Sequence, residues 1–165
     1  MHRVFILLLR AGTVAAILGG LFGQVVVIPT TASDEVDRFP PYEPFAAPYV
    51  TVAILGVACV QVALVAVWML LGMVERDVVF TARAFRWVDV VIGASTAATL
   101  LAVGVTAHLA VAEIPSPDDG MDVEAALGAA AASAAVGAAF AMLVVIMRGL
   151  LRKATRLQTE MAQVV

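Results

Sequence analysis

Among the side chains that could do chemistry in this 165-residue sequence, His108 is the histidine that lies within a long apolar stretch. Histidine titrates near neutral pH, so His108 could act as a proton-responsive switch. The alternative is a neutral imidazole that is satisfied by Gln24 or by a backbone carbonyl. Arg10, Gln24 and Gln61 are the other candidate polar groups within apolar stretches, and such groups often mark a pathway. The long stem of Arg10 is expected to carry its charge to the nearer membrane surface.

Catalytic and metal-binding patterns are missing from the sequence. It has no GxSxG, P-loop or HExxH motif, and Cys59 is the only cysteine. His108 supplies one imidazole, and the nearest acids, Glu113 and Asp118, lack metal-ligand spacing. Hydroxyls on the third apolar stretch are expected to bond to backbone or to neighbouring helices: Ser95, Thr96, Thr99 and Thr106. We therefore predict a non-enzymatic protein with no cofactor and no metal.

The elements that position these groups follow from composition. The chain is 62% hydrophobic and 14% charged, against about 45–50% and 25% in soluble domains. Four charge-free runs of at least 23 residues span Ala11–Ser33, Pro44–Val74, Val90–Ala112 and Ala125–Met147. A helix of 23 residues is about 34 Å long, enough to cross a hydrocarbon core of about 30 Å. The prediction is an all-α four-helix transmembrane bundle, a single domain over 1–165 with helices near 4–28, 49–74, 87–112 and 125–148.

The basic residues predict the orientation. Nine of the ten lie before the first helix's core, in the second connection or in the tail, and only Arg38 lies elsewhere. This asymmetry places both termini in the cytoplasm of a multi-pass cell-membrane protein. The first helix is expected to be an uncleaved anchor, because Ala11–Ile28 is longer than the apolar core of a signal peptide.

The first outer connection is rich in proline. Residues 29–48 contain Pro29, Pro40, Pro41, Pro44 and Pro48. Proline fixes φ and removes a donor, so we expect an extended or polyproline-like segment. Tyr42 and Tyr49 are then expected at the outer headgroup level.

Small residues at four-residue spacing predict where helices pack. The first helix carries Gly19 and Gly23, and the fourth carries Ser133 and Gly137. In lipid, such residues let backbones approach closely. Packing within the chain is the preferred interpretation, and a seam between two copies is the alternative.

The tail, residues 149–165, is amphipathic. Its apolar residues recur at helical spacing opposite Arg152, Lys153 and Arg156. We expect a cytoplasmic extension of the fourth helix that lies on anionic headgroups, although it could instead pair with another helix. Arg83 and Arg86 supply a second basic patch beside it.

Two segments carry a family resemblance. The connection Val79–Asp89 and the closing Leu151–Val165, together with the four helices, resemble the bacterial membrane family catalogued as domain of unknown function 2975. The alanine- and valine-rich style is similar to that of actinobacterial members. The resemblance implies no catalytic residues. Since some members are encoded beside a helix-turn-helix regulator, it points to a signalling or stress setting.

Three classes of function remain after these observations. The preferred hypothesis is a non-enzymatic interaction or regulatory component whose partners are the lipid bilayer and either a second copy or another membrane protein, with no nucleic acid. The runner-up is a small oligomeric transporter or channel subunit. A transport path needs polar groups at several depths, and the middle of the membrane offers chiefly Gln61. A membrane enzyme is third.

Overall fold

The computed structural model describes residues 2–74, 81–117 and 121–162, which are almost entirely helical and contain no strand. The helices are α1 (His2–Phe22), α2 (Ile28–Arg38), α3 (Glu43–Val74), α4 (Ala82–Val111) and α5 (Met121–Ala162). A π-helical segment, Gly23–Val27, joins α1 to α2, and a 3-10 turn, Pro40–Tyr42, precedes α3. Four helical stretches are long and apolar enough to cross a membrane: Val4–Arg38, Pro40–Val74, Arg83–Val111 and Asp122–Arg156. The predicted all-α fold with four such helices is confirmed.

The helices pack in chain order as an open series. Both α1 and α2 pack against α3, α3 packs against α4, and α4 packs against α5. Within the described residues, α1 does not approach α4 or α5, and α3 does not approach α5. The buried hydrophobic residues are accordingly few: Ile6, Ala66, Ala84 and Val91. Large apolar side chains stay exposed along the helices, Val136 to 70% for example, so the apolar faces need lipid or protein to cover them.

The prediction of an extended segment over 29–48 is wrong. Most of this segment is helical, in α2 and the start of α3. Pro40 and Pro41 begin the 3-10 turn, and Pro44 lies in the first turn of α3. Proline at the start of a helix removes an N–H that has no helical partner there, so these prolines favour helix initiation. Pro29 instead follows the π-helical segment inside a continuous helical stretch, and Pro48 lies inside α3.

The tail continues α5 without a break to Ala162. A 42-residue helix is about 63 Å long, roughly twice the hydrocarbon thickness. A tail lying flat on the membrane would need a bend at the boundary, and α5 has no interruption there. The expected surface-lying extension is therefore replaced by a helix that continues along the axis of α5, with Arg152, Lys153 and Arg156 exposed.

Candidate functional site

The polar groups lie at three levels of the helix array. We call the end that holds the start of α1 and the end of α5 the basic end, because most lysine and arginine residues lie there, and the opposite end the acidic end. One set of polar contacts lies near the middle, one towards the acidic end and one at the basic end.

In the middle, two amides join α3 to α1 and to the π-helical segment that follows α1. Gln61 Nε2 donates to the Ile17 carbonyl at 3.3 Å, and Gln24 Nε2 donates to the Ile54 carbonyl at 3.1 Å. Each amide thus bonds to the backbone of the opposite helix. Such bonds contribute on the order of 1 kcal/mol in a membrane, and they fix the register of α1 against α3.

Close helix approach on α1 depends on Gly20. A Cβ at Gly20 would lie 2.8 Å from Gln61 Nε2 and 3.3 Å from Val57, whereas one at Gly19 or Gly23 would meet nothing within 4 Å. The expectation that Gly19 and Gly23 pack within the chain is therefore wrong. The adjacent glycines Gly19 and Gly20 indicate a close helix contact. The helical phase of α1 determines that Gly20, and not Gly19, faces α3.

On α5, Gly137 packs against α4 as predicted. A Cβ there would lie 2.5 Å from Thr99 Oγ1 and 3.6 Å from the Thr99 Cα. Ser133 is exposed, and its hydroxyl donates to the Ala129 carbonyl of its own helix at 2.8 Å. Gly137 is therefore the close-contact position between α4 and α5.

The hydroxyls of α4 bond to their own backbone, one of the two alternatives expected. Each donates to the carbonyl four residues earlier, with Thr96 and Thr99 at 2.8 Å. Ser95 donates to Val91 and Thr106 to Ala102 in the same way. All four hydroxyls therefore donate to the backbone, and none of them donates to a side chain that could act as a base.

Towards the acidic end, Tyr49 and His108 form a pair that joins α3 to α4. A hydrogen bond of 2.8 Å joins the Tyr49 hydroxyl to His108 Nδ1, and the ring centroids lie 5.7 Å apart. The expected partnership of His108 with Gln24 is wrong, because α3 lies between α1 and α4 and Gln24 bonds to α3. The tyrosine was predicted from sequence to be a headgroup anchor and not a partner of His108.

These contacts bring the centres of three charge-free runs to one level, close to Phe22, Leu101 and Val136. On α3 the same level passes close to Gly56, which precedes Cys59, the centre of its run. In a bilayer centred there, Tyr49 and His108 lie about 10 Å towards the acidic end, by helical rise. Gln24 lies within about 3 Å of the centre, which differs from the outward position that its place in a 4–28 helix predicted.

At the basic end, an ion pair joins α4 to α5. Arg148 contacts Asp89 through Nε to Oδ1 at 2.5 Å and through a second nitrogen to Oδ2 at 2.9 Å. The Arg10 guanidinium lies over the Trp68 ring at 5.4 Å, a cation–π contact. Arg10, Trp68, Asp89 and Arg148 are each about 18 Å from the central level, just beyond the half-thickness of about 15 Å. The register therefore puts Arg10 itself at the membrane boundary.

Five further basic residues of this end are exposed: Arg83, Arg86, Arg152, Lys153 and Arg156. Arg148 was predicted from sequence only as part of the basic tail. Asp89 and Arg148 each flank a charge-free run on its basic-end side, and this shared position is the signal that could have paired them.

Two cavities lie between the helices. A cavity of about 620 Å³ opens at the acidic end between α2, α3 and the near ends of α4 and α5; we call it the acidic-end cavity. A groove of about 650 Å³ follows α4 between α3 and α5, and Cys59, Ala98 and Gly137 are among its lining residues. No group of three His, Cys, Asp or Glu side chains that could hold a metal occurs among the described residues.

Comparison with known proteins gives one finding. No curated protein and no solved structure matches the chain. A family model described as protein of unknown function (DUF2975) matches residues 30–165, a range that covers nearly all of α2 and the whole of α3, α4 and α5. The match includes the Tyr49–His108 pair, the Asp89–Arg148 pair and the Gly137 contact. The chain belongs to the DUF2975 family.

Proposed function

We propose that this protein is a non-enzymatic interaction component of a bacterial cell membrane, in a regulatory or signalling role, with both termini in the cytoplasm. The observation that carries the proposal is the open series of helices. A closed bundle uses the inner faces of all its helices on one another. Among the residues that the structure describes, α5 packs only against α4, and α1 packs only against α3 and the adjoining π segment. Both outer helices therefore keep faces available to a partner.

The exposed face of α1 supports self-association. Gly12, Gly19 and Gly23 have open space where a side chain would stand. Small residues at spacings of four and seven are typical of close helix pairs in membranes, where backbones gain dispersion contacts. A second copy of the chain fits this face, which was the alternative role considered for Gly19 and Gly23.

The basic end supports contact with anionic lipid or with an acidic partner. Each lysine or arginine near an anionic surface contributes about 1 kcal/mol. Arg152, Lys153 and Arg156 are exposed on the continuing helix α5, and Arg83 and Arg86 are exposed at the start of α4. Because α5 extends past the boundary, its cations can reach a partner beyond the lipid surface.

A transporter or channel subunit has less support. A path needs polar groups that are free to exchange partners with a substrate. Gln61 instead donates to a backbone carbonyl of α1, and Gln24, in the π-helical segment, donates to one of α3. The polar groups near the middle thus act in helix packing.

Cross-linking in native membranes tests the proposal. Neutralising the tail with Arg152→Gln, Lys153→Gln and Arg156→Gln should remove most cross-linked partner while the protein still inserts. The matched control neutralises three charges at the other end, Asp34→Asn, Glu35→Gln and Asp37→Asn, and should keep the partner. Retention of every partner by the tail variant would overturn the role of the basic end.

Two further measurements test orientation and self-association. A fluorescent reporter fused after Val165 should fold and fluoresce, as it does only on the cytoplasmic side. Gly19→Leu with Gly23→Leu should lower the mass of the detergent-solubilised particle to one copy, whereas the control Gly128→Leu, also a glycine facing open space, should not. An unchanged mass would show that α1 is not the seam.

A further inference from the structure

The acidic-end cavity combines an apolar floor with a charged rim. Tyr49, Val50 and Leu109 line the deeper part, and Glu35, Arg38 and Asp122 line the mouth. From the central level, Tyr49 and Leu109 lie about 10–12 Å out and the three charged residues about 20–24 Å out. The cavity therefore crosses the membrane boundary, with its floor at hydrocarbon depth and its rim at headgroup depth.

The volume suits a small organic molecule. About 620 Å³ falls within the range of roughly 300–1,000 Å³ that is usual for ligand sites. An occupant needs an apolar body for the floor and a polar group for the rim, which describes an amphiphile aligned with the membrane normal.

The charges at the rim of the cavity determine whether the polar group of an occupant should be cationic or anionic. Arg38 pairs with Glu35 at 3.4 Å, and both side chains are well exposed, at 75% and 50%. Within the described part of the chain, Asp122 has no ion-pair partner, so the rim carries one net negative charge. Tyr42 and Tyr49 also line the cavity, and the faces of aromatic rings attract cations. An anion would meet the free carboxylate, which repels it.

We propose that the acidic-end cavity is a binding site for an organic cation that carries an apolar group, such as a hydrophobic amine or quaternary ammonium compound. The apolar group occupies the floor between α3 and α4. The cationic centre lies between Asp122 and the tyrosine rings. The site joins α2, α3, α4 and α5, so an occupant contacts all four helices at once.

The test uses the full chain in maltoside micelles and radiolabelled tetraphenylphosphonium in equilibrium dialysis, with protein-free micelles subtracted. Tetraphenylborate, an anion of the same size and shape, is the matched ligand. We expect saturable binding of the cation and none of the anion. Equal protein-dependent binding of both ions would overturn the proposal.

Charge variants of the rim sharpen the test. Glu35→Gln with Asp122→Asn should weaken tetraphenylphosphonium binding about tenfold, and Arg38→Gln should strengthen it about threefold, as expected for partly screened charges near the ligand. Glu124→Gln is the control, because Glu124 is exposed on α5 and does not line the cavity. An unchanged affinity in the double variant, or an equal loss in the control, would contradict the assignment.

Two further arms address the floor and the source of the ligand. Ala46→Phe fills the floor without changing charge and should abolish saturable binding, while an unchanged elution profile reports an intact fold. If Ala46→Phe binds the cation normally, the ligand is not in this cavity. Added phosphatidylethanolamine should leave the affinity unchanged, and competition by it would assign the cavity to a lipid ammonium headgroup instead of a free cation.

Discussion

Adding one methyl group at Gly137 should separate α4 from α5. In the folded chain, the Cβ of Gly137→Ala would lie 2.5 Å from Thr99 Oγ1 and 3.4 Å from Thr99 Cβ. The first distance is far shorter than an ordinary van der Waals contact, and the second is at the lower limit of one. Thr99 Oγ1 donates to the Ser95 carbonyl at 2.8 Å, so rotation of the hydroxyl away from the new methyl group also disturbs that bond.

The expected cost follows from overpacking. Extra methylene or methyl groups in a tight contact typically cost about 1–3 kcal/mol. Alanine is the better helix former by about 1 kcal/mol, which acts in the opposite direction. The control Gly128→Ala, on the same helix but with nothing within 4 Å of its Cβ, has the same propensity gain without the clash. The difference in unfolding free energy between the two variants should therefore be about 1–3 kcal/mol.

The assay is reversible unfolding in mixed micelles of maltoside and dodecyl sulfate, followed by fluorescence of the two tryptophans, one of them on α4. Gly137→Ala should unfold at lower dodecyl sulfate than Gly128→Ala. Thr99→Ala removes the nearest atom, so combining it with Gly137→Ala should recover most of the loss. Equal stability of the two alanine variants would refute the close approach of α5 to α4 at this level.

Three other outcomes follow from named contacts. A double-mutant cycle of Asp89→Asn with Arg148→Gln should give a coupling of about 0.5–1 kcal/mol that shrinks at high salt, because the pair is partly exposed; no coupling would contradict the pair. Cys59 lines the groove near the central level, so in proteoliposomes it should resist a charged thiosulfonate until dodecyl sulfate unfolds the protein, and rapid labelling of the folded protein would place it in water. Gly20→Ala should be less stable than Gly19→Ala by about 0.5–1 kcal/mol in the same unfolding assay, since only position 20 displaces an amide that bonds across the interface, and equal stability would argue against that bond.

The sequence predicted the helices more accurately than it predicted which helices and residues pack together. Charge-free length is a property of each run alone, and it identified the four helical stretches of the described chain that are long and apolar enough to cross a membrane. Packing depends on helix phase and on which helices are adjacent, neither of which composition specifies. Gly20 in place of Gly19, and Tyr49 in place of Gln24 as the partner of His108, are both errors of this kind.

The wrong prediction of an extended segment over residues 29–48 has a related cause. Proline opposes a helix interior and favours a helix start, and the two effects cannot be separated until the start is known. Pro40 and Pro44 lie at the start of the 3-10 turn and of α3, where the missing N–H has no helical role. Pro29 lies inside the continuous helical stretch Val4–Arg38, directly after the π-helical segment. The helical content of residues 29–48 follows from those positions.

The π-helical segment explains how one long helix can follow α3 along its length. At Gly23–Val27 the bonding lengthens, and the Ile28 N–H donates to the Gly23 carbonyl. Such a bulge adds one residue and turns the following helix by about 100° relative to an unbroken one. The helix α1, the π-helical bulge and α2 each contact α3. The change of direction at the bulge therefore keeps α2 packed against α3. Without it, the face of α2 that holds Glu35 and Val36 would turn away from the acidic-end cavity. The bulge that contains Gln24 near the membrane centre therefore sets the position of the cavity rim about 20 Å away.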